Sequence, residues 1–181
     1  MSKLTRTDDP SFKTLIEAEC YIDKTVYLDK LTQRKAKFYF LSSPQRFGQT
    51  LLVDTLEELF KHGGRKTLFV NTKIYRQRPG RWSHYPTIWM NFSNAISSVS
   101  IAAFNQTVLE LLKDVAEGHN INLHAPEHVE VAIQQLINLL SEKSRNSMVV
   151  ILIDEYDKPY TSAYLNKEVA EDIPSATSLF R

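Results

Sequence analysis

Met148-Val149-Val150-Ile151-Leu152-Ile153-Asp154-Glu155 sets the architecture. Six apolar residues in a row, four of them β-branched, form the pattern of a strand buried on both faces. Such strands belong to parallel sheets with helices on each side. The run is far shorter than the ~20 apolar residues a bilayer crossing needs. It ends in two acids, at the place where a strand of such a sheet meets its ligand.

Upstream, apolar residues recur at helical spacing. Val131, Ile133, Leu136, Ile137, Leu139 and Leu140 predict a helix over 127–142. Ile101, Phe104, Val108, Leu111, Leu112 and Val115 predict an amphipathic helix over 101–115. Thr87-Ile88-Trp89-Met90-Asn91-Phe92 reads as a strand entered through Pro86. Leu51, Leu52, Thr55, Leu56, Leu59 and Phe60 predict a helix that starts near Gln49 or Thr50 and stops at Gly63-Gly64. Lys37-Phe38-Tyr39-Phe40-Leu41-Ser42, short and aromatic-rich, reads as the first strand. Val26, Leu28 and Leu31 suit a helix over about 25–34 with Thr25 as N-cap. Phe12 to Ile16 stays unassigned, and 68–70 and 74–75 are weak signals in a polar connector. A loose arm over the first ten residues and a short helix over 163–171 complete the reading. Helices thus alternate with strands, and a single α/β domain over 1–181 with a mostly parallel sheet follows.

Composition agrees with a globular chain. Of 181 residues, 43% are apolar and 24% charged, and the net charge is +1. This excludes a disordered charged tail and gives no chain-wide reason for strong nucleic-acid binding. One cysteine, Cys20, forms no internal disulfide, which fits a reducing compartment. With a polar start and no apolar leader, a cytoplasmic location is expected, with no membrane partner.

Two loops follow strand ends. In Ser43-Pro44-Gln45-Arg46-Phe47-Gly48-Gln49-Thr50, two of the four fixed positions of G-x-x-x-x-G-K-[ST] are matched, by Gly48 and Thr50. Ser43 stands for the first Gly and Gln49 for the Lys. Loop amides and a helix dipole attract phosphate there. Gly48 permits close backbone approach, and the Thr50 hydroxyl suits Mg²⁺. Gln49 brings a donor without charge, which predicts weakened phosphate binding. A plain strand-to-helix turn is the alternative. The second loop begins at Asp154-Glu155, the Walker B arrangement: the first acid serves Mg²⁺ and the second orients the attacking water. An acidic strand end leading into a turn at Asp157 and Pro159 is the alternative there.

Together these residues resemble the bacterial AAA-ATPase-like proteins, a P-loop group often found with a PD-(D/E)XK nuclease-like C-terminal domain. The resemblance rests on Phe12-Lys13-Thr14-Leu15, Tyr21-Ile22-Asp23-Lys24-Thr25, residues 43–50 (where the family reads R-P-R-R-F-G-K-[ST]), Tyr85-Pro86-Thr87-Ile88 and Leu152-Ile153-Asp154-Glu155-Tyr156-Asp157-Lys158-Pro159. It implies a P-loop NTPase-like three-layer sandwich, with ATP and Mg²⁺ as ligands. Ser43, Pro44, Gln45, Arg46, Phe47, Gly48, Gln49 and Thr50 are then nucleotide-binding, Thr50 and Asp154 metal-binding, and Glu155 catalytic. Gln45 and Gln49 replace family cations, which predicts weakened or lost hydrolysis. The implied strand order is 5-1-4-3-2, in which strands 37–42, 87–92 and 148–153 are the first three. The 26 residues after Glu155 contain no convincing strand, so a truncated member is expected, its sheet completed by a protein partner or self-association. The rival reading is an inactive interaction or remnant domain that binds no nucleotide.

Lesser features read as structure. His124 and His128 are split by Pro126, which favours a turn over a metal pair. Arg76, Arg78 and Arg81 beside Trp82, His84 and Tyr85 read as a polar connector rather than a nucleic-acid surface. Cys20 reads as a packing residue.

Overall fold

A computed structural model describes residues 11–33, 37–44, 46–61, 66–79, 82–93, 101–124, 126–145 and 147–158. Gln45, the N-terminal arm, the Gly63-Gly64 stop, Arg81 and the helix expected over 163–171 lie outside them. Contacts divide the chain into two units, one reaching Tyr85 and the other starting at Pro86.

The first unit is helical. α1 (Phe12–Glu17) is capped by Ser11, whose hydroxyl accepts the Thr14 amide. Its Phe12 is fully buried, edge-on to Tyr21 and tilted against Phe69. α2 (Thr25–Thr32) starts differently from expectation: Lys24 occupies the N-cap position, and the capping oxygen belongs to Asp23. Asp23 accepts the Thr25 amide at 2.9 Å, the Thr25 hydroxyl at 2.6 Å and the Lys73 amide at 2.7 Å. The Asp23 carboxylate thus caps α2 and also takes an amide at the start of a second helix, at Lys73. α3 (Gln49–Lys61) buries Val53, Thr55, Leu56 and Leu59, and its Asp54 accepts the Phe12 amide. The connector holds two short helices, α4 (Lys66–Phe69) and α5 (Lys73–Gln77). Phe69 and Ile74 of these helices are fully buried, each such side chain contributing ~1.5–3 kcal/mol. Arg78 pairs with Asp29 at 3.2 Å, so one of the connector's arginines holds α2 rather than a ligand.

The expected first strand does not form. Residues 37–42 carry no ladder bonds, and Phe38 is 88% exposed. A strand needs a neighbour. Among the described residues no strand pairs with it.

The second unit is built as expected. β1 (Thr87–Asn91) and β2 (Val150–Asp154) pair in parallel, Thr87 opposite Val150 and Asn91 opposite Asp154. Parallel neighbours require a crossover, here α6 (Ile101–Gly118) and α7 (Val129–Lys143). Ile88, Met90 and Phe92 pack with Val108, Leu112 and Leu136 in one core. The expected burial of β2 on both faces is corrected: Leu152 and Asp154 are buried, while Ile151 remains 37% exposed. A sheet with two strands among the described residues leaves such a side chain at its margin.

The end of α6 is tightly fixed. Asn120 takes a positive φ of 53°, and the Ile121 amide returns to the Ala116 carbonyl at 2.8 Å. His119 Nε2 donates to the Thr87 carbonyl at 2.7 Å, and Lys143 donates to the carbonyls of His119 and Asn120. His128 is the N-cap of α7, and no group of three metal-ligating side chains occurs among the described residues. No described helix is long and apolar enough to cross a membrane. The molecule thus mixes helices with a small parallel sheet.

Candidate functional site

The loop before α3 is held open by its backbone. Arg46 and Gly48 both take left-handed φ values, 65° and 78°. For Gly48 this conformation carries no steric penalty; for Arg46 it is a strained choice of the kind concentrated at functional turns. The Phe47 amide donates to the Pro44 carbonyl at 3.3 Å. The Gly48 carbonyl accepts the Leu52 amide at 3.0 Å and so begins the helix. Thr50 lies exposed in the first turn.

Gln49 turns back on its own loop. Its Nε2 donates to the Leu41 carbonyl at 3.2 Å, and its Oε1 accepts the Ser43 hydroxyl at 3.4 Å. The structure therefore brings Ser43, Pro44, Phe47, Gly48 and Gln49 into one turn, with Gln49 bracing it.

A cation approaches the same turn from the start of α2. Lys24 Nζ donates to the Phe47 carbonyl at 2.6 Å. It lies 3.6 Å from where a Cβ on Gly48 would stand. Leu15, Ile22, Lys24, Arg46, Phe47 and Leu51, with Cys20 and Gly48, line an open cleft of about 360 Å³. Two of these side chains are cationic and none is acidic. Sequence reasoning gave Asp23-Lys24 no role beyond a contact near this loop, and Lys24 makes that contact. Cys20 donates its Sγ proton to the Ala18 carbonyl at 3.2 Å.

Asp23 itself is spent on structure. Partial burial opposes its ionisation, but bonds from Thr25 and Lys73 and the Lys73 charge outweigh that and hold the carboxyl below its ordinary value.

The second set of residues stands at the end of β2 in the other unit. Asp154 is 2% exposed. Its Oδ1 accepts the Glu155 amide at 3.0 Å, and its Oδ2 faces the Asn91 side-chain amide at 3.5 Å. Asn91, absent from the expected set, shares its register position with Asp154. Its own Oδ1 accepts the Ser93 amide at 2.8 Å. Glu155 has a left-handed φ of 54° and pairs with Lys158 at 3.7 Å. Both partners of this buried carboxyl are neutral N–H groups.

A family model described as "Predicted AAA-ATPase" matches residues 10–181. An uncharacterised protein in the vnfD 5' region of Azotobacter chroococcum mcd 1 is 30% identical over 156 residues, 84% of this chain and 28% of that protein. The chain thus spans little more than a quarter of the curated relative it matches. No solved structure matches it.

Proposed function

The chain belongs to the predicted AAA-ATPase family, and on that premise we propose that it binds the phosphates of ATP at residues 43–50, with slow or absent turnover. The observation that carries this reading is Gly48 at φ 78°, at the point where the loop enters α3 and faces a cleft of two cations and no acid. A left-handed glycine exposes loop amides to an anion, and the helix start adds its dipole.

Thr50 and Asp154 are the proposed Mg²⁺ ligands, each an oxygen donor of the kind such ions take: an exposed hydroxyl in the first unit and a buried carboxyl in the second. When bound, the ion would offset phosphate charge. Glu155 is the acid proposed to orient water. Gln49 binds its own loop through Leu41 and Ser43 and adds no charge, so the chemical step lacks a stabiliser that a lysine would give.

Thermal protection tests the reading, because a ligand selective for the folded state must raise its stability. Millimolar Mg-ATP is expected to raise the melting temperature, and titration calorimetry to return a saturable isotherm. Absence of both for the native chain and for Gln49→Lys would overturn it.

A second reading is a domain that engages a protein partner or a second copy through residues 37–42. The 88% exposure of Phe38 within a segment of strand composition favours it. Under that reading alone, nucleotide gives no protection.

A further inference from the structure

We propose that Lys24 is the phosphate-binding cation of this loop, taking the place that Gln49 leaves neutral. The inference rests on the nucleotide reading above and names the residue that makes it work.

The argument starts from Gln49. Both ends of its amide are engaged, Nε2 with the Leu41 carbonyl and Oε1 with the Ser43 hydroxyl. It stabilises the turn and leaves the anion position without a charge from α3. Lys24 supplies one from elsewhere in the chain. Its Nζ reaches the Phe47 carbonyl at 2.6 Å and stands 3.6 Å from the Cβ position of Gly48, the residue whose backbone would approach a phosphate. An ammonium has three donors. The Phe47 carbonyl takes one, and two remain to meet phosphate oxygens.

The position of Lys24 is well fixed. It is the N-cap residue of α2, between Asp23 and Thr25. Thr25 is fully buried and bonded to both Asp23 and the Ile74 amide. The backbone bearing the lysine is thus anchored to α5, and the flexible part is its side chain. The cleft adds the right surroundings. Arg46 is a second cation, Ile22 and Phe47 are apolar walls, and no carboxylate competes for the ammonium there. A mobile point charge that rests on a carbonyl when no anion is bound can transfer to phosphate without backbone rearrangement.

Titration of Mg-ATP and of inorganic triphosphate into the native chain, Lys24→Ala, Lys24→Arg and Lys24→Ala/Gln49→Lys tests this. Lys24→Ala is expected to weaken both ligands by about 10- to 100-fold, the range for a lost charged hydrogen bond. Lys24→Arg is expected to retain most of the affinity, and the double variant to recover it. Affinity of the native chain should fall more steeply with salt than that of Lys24→Ala. A structural role would lower melting temperature without altering that slope. Should Lys24→Ala fail to fold, Lys24→Gln, which keeps a donor but no charge, carries the same comparison. Native-like affinity in the folded neutral variant, or an unchanged salt slope, overturns the proposal while leaving the nucleotide reading intact. Failure of the native chain and Gln49→Lys to bind either ligand removes both.

Discussion

The Thr25 hydroxyl accepts the Ile74 amide at 3.0 Å, joining two helix starts that are 49 positions apart. Both residues are fully buried. Asp23 lies beside them and receives amides from both helices. The Tyr21-Ile22-Asp23-Lys24-Thr25 segment therefore acts as a brace, with Lys24 carried on its outer side. The most structural residues of the segment and its one cationic side chain serve separate ends.

Removing the brace should be costly. Thr25→Val leaves the Ile74 amide buried without its acceptor, and a loss of about 1–3 kcal/mol is expected. Denaturant unfolding at constant m-value measures it.

Acid should weaken the same brace. The folded Asp23 carboxyl sits below its ordinary value, so its stabilisation is fully present above the unfolded value. It is lost as pH falls through the folded one. The gap in melting temperature between the native chain and Asp23→Asn is expected to be widest near neutrality and to close in strong acid. A gap that widens with acidification would contradict the assignment.

Core substitutions in the second unit should separate by burial. Leu112 has no exposed surface, and Leu112→Ala is expected to cost about 2–5 kcal/mol. Val131, 45% exposed on α7, should change stability by no more than about 0.5 kcal/mol on mutation to Ala. Urea titration of both variants gives the comparison.

The buried carboxylate of β2 should matter for the divalent ion. Asp154→Asn keeps an oxygen for the Glu155 amide but removes the charge. Its nucleotide affinity is expected to become nearly independent of Mg²⁺, read by calorimetry with and without chelator. Unchanged magnesium dependence would remove Asp154 from the proposed metal set.

The long helices were legible because burial of one face imposes a period, and α3, α6 and α7 each run long enough to show it. Their ends were less so: α6 continues beyond Val115 to Gly118 and turns at Asn120. α1, α4 and α5, at six, four and five residues, are too short to repeat a pattern. Their packing comes from single residues such as Phe12, Phe69 and Ile74, whose role depends on contacts distant in sequence. Residues 37–42 have strand composition, but composition does not supply a neighbouring strand. In the candidate site, the glycine-bearing turn and the acids after β2 followed from local spacing. The Lys24 contact was suggested only by its place in the motif over 21–25, and its partner was not, because Lys24 meets Phe47 across 23 positions. The Gln49 bonds to Leu41 and Ser43 were equally hidden, since an amide's partners depend on how the turn closes.

The most direct measurement replaces Mg²⁺ with paramagnetic Mn²⁺ and follows the backbone amide spectrum of the native chain on addition of ATP. A triphosphate seated at the turn before α3 should broaden the Phe47 and Gly48 amides selectively. Uniform broadening, or Phe47 and Gly48 signals untouched at saturating nucleotide, would contradict the account.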